Sequence, residues 1–138
     1  MSLVNTDWLL ENLDNVKIID SSWHLPNQNR NAKKEYSNEH ILNSIFFDID
    51  KNSDQETDLP HMLPSKIRWE NIVSNLGISN EDTIIIYDNS DLISSCRCWY
   101  TFLYFGHDPS LVSVLNGGLK KWKQEEKPTV NSLTEINR

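Results

Sequence analysis

Apolar positions along the chain follow two patterns. Short apolar runs bounded by polar or turn residues occur at 16–19, 45–47, 84–87 and 112–115; such runs predict buried strands. Between them, apolar residues recur at helical spacing. The stretch 7–13 carries Trp8, Leu9 and Leu13, with Asn5 or Thr6 as its cap, and 65–76 carries Ile67, Trp69, Ile72, Val73 and Leu76, opened by Ser65 and stopped by Gly77. A third helix is predicted over 94–105 and a fourth over 119–125, the latter opened by Gly117-Gly118 and facing inward at Trp122. The stretch 21–34 reads as a polar loop around Trp23, Pro26 and Arg30, followed by a single helical turn at 35–40. Residues 51–64 form a second, longer loop, of a length that compact domains usually reserve for function. Strands alternating with helices predict an α/β domain: a mainly parallel sheet with helices on both faces. Residues 1–126 form that domain, and 127–138, with Pro128 and no periodicity, read as a linker or outgoing tail.

Composition narrows the partners. The chain has 138 residues, 24% charged and 38% hydrophobic, which suits one folded domain rather than a disordered segment. A net charge of −7 disfavours nucleic acid and anionic membrane surfaces, which call for a basic face. It leaves room for a small anion in a locally cationic pocket. No apolar run exceeds a handful of residues, so no segment is predicted to span a bilayer, and no secretory signal opens the chain. Cys96 and Cys98 lie too close in sequence for a relaxed disulfide, and suit reduced thiols in a cytoplasmic protein.

In an α/β domain, nucleophiles and ligands gather beyond the carboxyl ends of the strands. The residue leaving the 84–87 strand is Asp88, a carboxylate where a nucleophile would be expected. Cys96 stands near a helix start beside Arg97, which could lower a thiol pKa, or both cysteines are simply helix residues. A Cys-x5-Arg phosphate loop would need arginine at 102 or 104, where Phe102 and Tyr104 stand. No zinc-ligand spacing, GxGxxG or Walker pattern is present, so neither a metal nor a nucleotide cofactor is implied. Asp48 and Asp50 flank Ile49 at a strand end, where alternation lets only one point into a given cleft. His61 is held between Pro60 and Pro64 and could donate to an anionic substrate. Arg97 and Arg30 are the candidate anion contacts, unless they are spent on structural pairs with Asp88 or Asp20. Trp23, an aromatic in a polar loop, is an interface candidate.

Several segments together resemble the rhodanese superfamily, and more narrowly the N-terminal half of tandem thiosulfate and 3-mercaptopyruvate sulfurtransferases. They are IIDSSWHLP (18–26), EHILNSIFFDID (39–50), LPHMLP (59–64), LGISNEDTIIIYDNS (76–90), RCWYTFLYFGH (97–107) and VLNGGLKKW (114–122). Leu42-Asn43-Ser44 departs from the family's usual Pro-Gly-Ala, with Asn43 able to take the left-handed conformation of the glycine. The resemblance implies a rhodanese-like fold with a central five-stranded parallel sheet. It implies a parent enzyme in which a cysteine after the central strand carries a persulfide and passes sulfur to cyanide or a thiol. Here Asp88 occupies that nucleophile position, so no residue of this chain is expected to be catalytic and the isolated chain is expected to be inactive. Asp50 and His61 match residues that face the active site across the domain junction and, with Arg97, would support the substrate cleft; Asp48 would be structural. The implied partners are a C-terminal rhodanese domain of the same protein and a small anionic sulfur donor. The rival readings are a stand-alone non-catalytic binding module and an active single-domain rhodanese using Cys96.

Overall fold

The computed structural model describes residues 2–24, 28–53, 63–89, 93–132 and 134. Five parallel strands form the main sheet in the order β1 (Leu3–Val4), β6 (Val112–Leu115), β5 (Ile84–Tyr87), β2 (Lys17–Asp20), β4 (Ser44–Phe46). The central strand is β5, its Ile84 and Ile85 registering with Lys17 and Ile18 on one side and with Val112 and Ser113 on the other. All four β5 side chains are buried, as expected of a strand covered on both faces. Their alternation divides the core. Ile84 and Ile86 join Ile19, Phe47, Trp69, Cys98, Phe102 and Val112 on one face. Ile85 and Tyr87 join Leu9, Ile18, Leu115, Leu119 and Trp122 on the other. Helices α3 (Lys66–Asn75) and α4 (Ile93–Tyr104) supply the first face, and α1 (Thr6–Glu11) and α5 (Gly118–Gln124) the second. Each fully buried isoleucine adds roughly 2 kcal/mol of burial. The expected five-stranded parallel sheet with helices on both faces is therefore present.

Local caps follow the sequence. Asn5 accepts from the Trp8 amide at 2.7 Å and opens α1; Ser65 accepts from the Arg68 amide at 3.2 Å and opens α3. Gly77, at φ +72°, ends α3 in the left-handed conformation. Asn43 takes the same conformation, at φ +72°, and its amide donates to the Leu13 carbonyl at 3.2 Å.

Several expectations need correction. The 35–40 turn is a seven-residue helix, α2 (Ala32–Asn38), opened by Asn31, whose side chain accepts from the Lys34 amide. Only Tyr36 of α2 is buried, so the sequence carries no amphipathic period there. The strand expected at 45–47 ends at Phe46, so Asp48 and Asp50 lie on a turn and strand alternation does not govern them. Ile67, placed on the apolar side of α3, is 74% exposed, and Trp8 is also exposed. Leu3–Val4 adds an edge strand too short to show periodicity. Within 127–138, Thr129–Val130 forms β7, antiparallel to β3 (His40–Ile41). The Trp122 indole donates to the Pro128 carbonyl at 2.9 Å, and Thr129 Oγ1 donates to Glu39 at 2.9 Å. Among the described residues no helix is long and apolar enough to cross a membrane.

Candidate functional site: the carboxyl ends of β2 and β5

Two adjacent strands lead to buried carboxylates: β2 ends on Asp20, and β5 is followed directly by Asp88, which is 1% exposed. Asp88 joins two helix origins. Its carboxylate accepts from the Ser95 amide at 3.0 Å and the Ser94 hydroxyl at 3.2 Å, both in the first turn of α4. Its carbonyl accepts from the Leu119 amide of α5 at 3.0 Å. A helix begins with unpaired N–H groups and a partial positive charge, which a carboxylate satisfies. The position at which the sequence suggests a missing nucleophile is thus filled by a side chain that ligates the helix start itself.

Asp20 accepts from the Ser22 amide at 2.9 Å and the Ser22 hydroxyl at 2.5 Å. Burial pushes its carboxyl up to about 6; the Ser22 bonds pull the other way and the nearby Asp88 charge adds to the rise. The Ser22 hydroxyl in turn accepts from the Asn89 amide at 2.7 Å, tying the two strand ends together. Glu35 of α2 fastens the same corner from outside. Arg30 grips it with two bonds, at 2.7 and 3.0 Å, His24 meets it at 3.2 Å, and the Asn89 side-chain amide donates to it at 3.3 Å. Arg30 also donates to the Asn89 carbonyl at 3.1 Å. The Arg30 guanidinium, by hydrogen bond foremost, holds the Glu35 carboxyl below the usual carboxylate range. Arg30 is thus engaged in a structural pair, with Glu35 rather than with Asp88 or Asp20.

The remaining candidates separate. Cys98 is buried and its thiol is pushed well up by burial, which makes it a poor nucleophile. Cys96 is half-buried on α4. Arg97 forms no ion pair with Asp88 or Asp20, contrary to the structural pairing weighed from sequence; among the described residues its guanidinium has no hydrogen-bond partner. It lines a small void with Cys98, Thr101, Asn52, Ser53, Leu63 and Pro64, with room for little more than a water molecule. Asp50 does not line that void; its exposed carboxylate accepts from the Trp23 indole at 3.0 and 3.1 Å. Asp48 accepts from the Lys51 amide at 3.0 Å, a structural use. His61 lies outside the described residues. Among the described residues no cluster of His, Cys, Asp or Glu could hold a metal ion.

Sequence reasoning missed Glu35, Ser22, Asn89, Ser94, Ser95 and Gly118 as parts of this corner. Their partners are distant in the chain, and no spacing advertises them. The one signal present was Gly117-Gly118 opening a helix, which marks close backbone approach.

Comparison with known proteins agrees with the geometry. The family described as "Rhodanese-like domain" matches residues 5–125. Thiosulfate/3-mercaptopyruvate sulfurtransferase 1, mitochondrial, of Arabidopsis thaliana is 43% identical over 123 residues, covering 88% of this chain and 32% of that protein. Thiosulfate sulfurtransferase of Rattus norvegicus is 38% identical, covering 94% of this chain and 46% of that protein. The crystal structure of SseA from Escherichia coli, a 3-mercaptopyruvate sulfotransferase, superposes with a TM-score of 0.89 at 35% identity, covering 99% of this chain and 54% of that one. The chain thus spans between a third and about half of the relatives it matches. With the family match spanning most of the chain and the fold in agreement, the chain belongs to the rhodanese-like domain family.

Proposed function

We propose that this domain is the supporting, N-terminal half of a tandem sulfurtransferase, which moves sulfane sulfur from thiosulfate or 3-mercaptopyruvate to cyanide or a thiol. In this reading it forms one wall of the cleft, and a second rhodanese domain carries the nucleophile. The observation that carries it is Asp88. A carboxylate cannot accept a sulfane sulfur, and this one already takes up the Ser95 amide and Ser94 hydroxyl, which a persulfide in its place would need. The partial coverage of sulfurtransferase relatives supports the tandem arrangement. On the same reading Asp50, His61 and Arg97 face the donor from this side, with Asp50 polarising or orienting it. Free thiols at Cys96 and Cys98 suit a reducing compartment, the cytoplasm in our reading. The test is the mass of the isolated chain after incubation with thiosulfate, alongside a thiosulfate:cyanide assay. Neither cysteine should gain a sulfur and no turnover should appear. Turnover abolished by Cys96→Ser would overturn the proposal and make Cys96 the nucleophile.

A further inference from the structure

Strand β6 ends at Leu115, and the chain turns through Asn116 and Gly117 into α5. The turn is anchored on either side. The Asn116 amide donates to the Val4 carbonyl at 2.9 Å, and the Gly117 carbonyl accepts from the Lys121 amide at 3.2 Å. Two groups stay outside this bonding. The Asn116 side chain, which is exposed, and the Gly117 N–H have no hydrogen-bond partner among the described residues. Gly117 lies at φ +89° and has no Cβ, so no side chain of its own shields its nitrogen. Asn116 is also the one asparagine of the chain that a glycine follows. Elsewhere the residue after asparagine carries a side chain, and several asparagine side chains are spent: Asn5 and Asn31 cap helices, and Asn43 and Asn89 donate to Leu13 and Glu35.

We propose that Asn116–Gly117 is a self-modification site, at which the asparagine converts to aspartate and isoaspartate without an enzyme. The Gly117 nitrogen attacks Asn116 Cγ and a bond forms between them. The Cγ–Nδ2 bond breaks, the Gly117 amide proton passes through solvent to Nδ2, and ammonia leaves behind a five-membered succinimide. Water, the co-reactant, then adds across one C–N bond of the ring. Opening at Cγ gives aspartate. Opening at the main-chain carbonyl gives isoaspartate, in which the backbone runs through the side chain and is one methylene longer. Nothing is oxidised or reduced. The added length falls between the anchor on Val4 and the Leu119 amide, which donates to the Asp88 carbonyl at 3.0 Å. Both of those residues are buried, so a shifted Leu119 amide loses its acceptor and finds no water in exchange. Isoaspartate at 116 therefore loosens α5 from the end of β5, whereas aspartate leaves the backbone as it was.

The test uses this chain and does not depend on sulfur transfer. Folded and urea-unfolded samples are aged in parallel at mildly alkaline pH and mapped by peptide mass spectrometry with separation of the two acid isomers. In the folded sample the acid is expected at residue 116 ahead of every other asparagine. Asn116→Gln, which would have to close a larger ring, should lose that product. The isoaspartate form, separated by chromatography, should unfold at lower urea than the parent, and Asn116→Asp should keep the parent's midpoint. Acid at 116 confined to the unfolded sample, acid appearing first at another asparagine, or an isoaspartate form as stable as the parent would overturn the inference.

Discussion

Gly118 packs directly on the carbonyl of Asp88: a Cβ at position 118 would stand 2.7 Å from that oxygen. Gly118 also lies at φ +60°, where other residues are strained. The close approach brings the origin of α5 against the end of β5, so the Leu119 amide can reach the Asp88 carbonyl. Gly118→Ala is therefore expected to destabilise the domain by about 2–3 kcal/mol, combining left-handed strain with displacement of a backbone atom. Urea unfolding measures it, and an unchanged midpoint would contradict this packing.

Asp88→Ala removes the acceptor for the Ser94 hydroxyl and the Ser95 amide and leaves both buried without it. The expected cost is about 1–3 kcal/mol. Asp88→Asn, which keeps one accepting oxygen, should lose less. If the two variants proved equally stable, capping of α4 would not be what this side chain contributes.

The pH dependence of stability contains an opposing contribution from Asp20. Its carboxyl is raised from 3.8 to about 6 in the folded state, so the folded chain holds this proton more tightly than the unfolded chain. The stabilisation is complete below the unfolded value and is lost as pH rises through about 6. Asp20 is 2% exposed, so solvent screening is slight, and the full effect is on the order of 3 kcal/mol. Asp20→Asn should raise stability at pH 7.5, with little or no gain at pH 4, as read by denaturant titration at the two pH values. Glu35 works in the other direction. Its lowered carboxyl stabilises the fold fully above the unfolded value, and that contribution is lost as pH falls from there through the lower folded value.

Glu35→Ala withdraws the acceptor shared by Arg30, His24 and the Asn89 side chain. Because Glu35 is about a third exposed, only about 1 kcal/mol of stability should go with it. The more informative readout is amide hydrogen exchange, which should quicken at Asn89 ahead of the β5 core. Exchange at Asn89 that matched the parent chain would show that Ser22 alone secures this end of the strand.

Truncation after Glu126 should cost at least about 2 kcal/mol. It deletes the Pro128 carbonyl that receives the Trp122 indole, the Lys127–Asp7 ion pair at 2.9 Å, and the strand paired with His40–Ile41. Trp122 is fully buried, so its fluorescence should shift to the red as water reaches it.

How much of this was legible in the sequence depended on the range of each interaction. The four longer strands of the main sheet stood out because Ile84, Ile85 and Ile86 and their like have no polar face to offer water. Leu3–Val4 did not, since two residues cannot display a period. Helix α2 was hidden by its own solubility: Ala32, Lys33, Lys34 and Glu35 present nothing apolar before Tyr36. Asp88 could be picked out because a strand end is a known place to look. Its ligands Ser94 and Ser95 could not, because a loop of unknown course intervenes. Asp48 and Asp50 were picked out together from their place beyond an apolar run, and only the resemblance chose Asp50 between them. Its bond to Trp23, twenty-seven residues away, follows only once β2 and β4 are set side by side.

The acid at the end of β5 also bears on when the domain becomes complete. Where helix origins converge on an open cradle, their amides await a visiting anion, and such a protein gains rigidity only once loaded. In this chain the negative group is covalently built in, so maturation of the fold proceeds without cargo, and adding thiosulfate should leave the melting temperature of the isolated domain where it was.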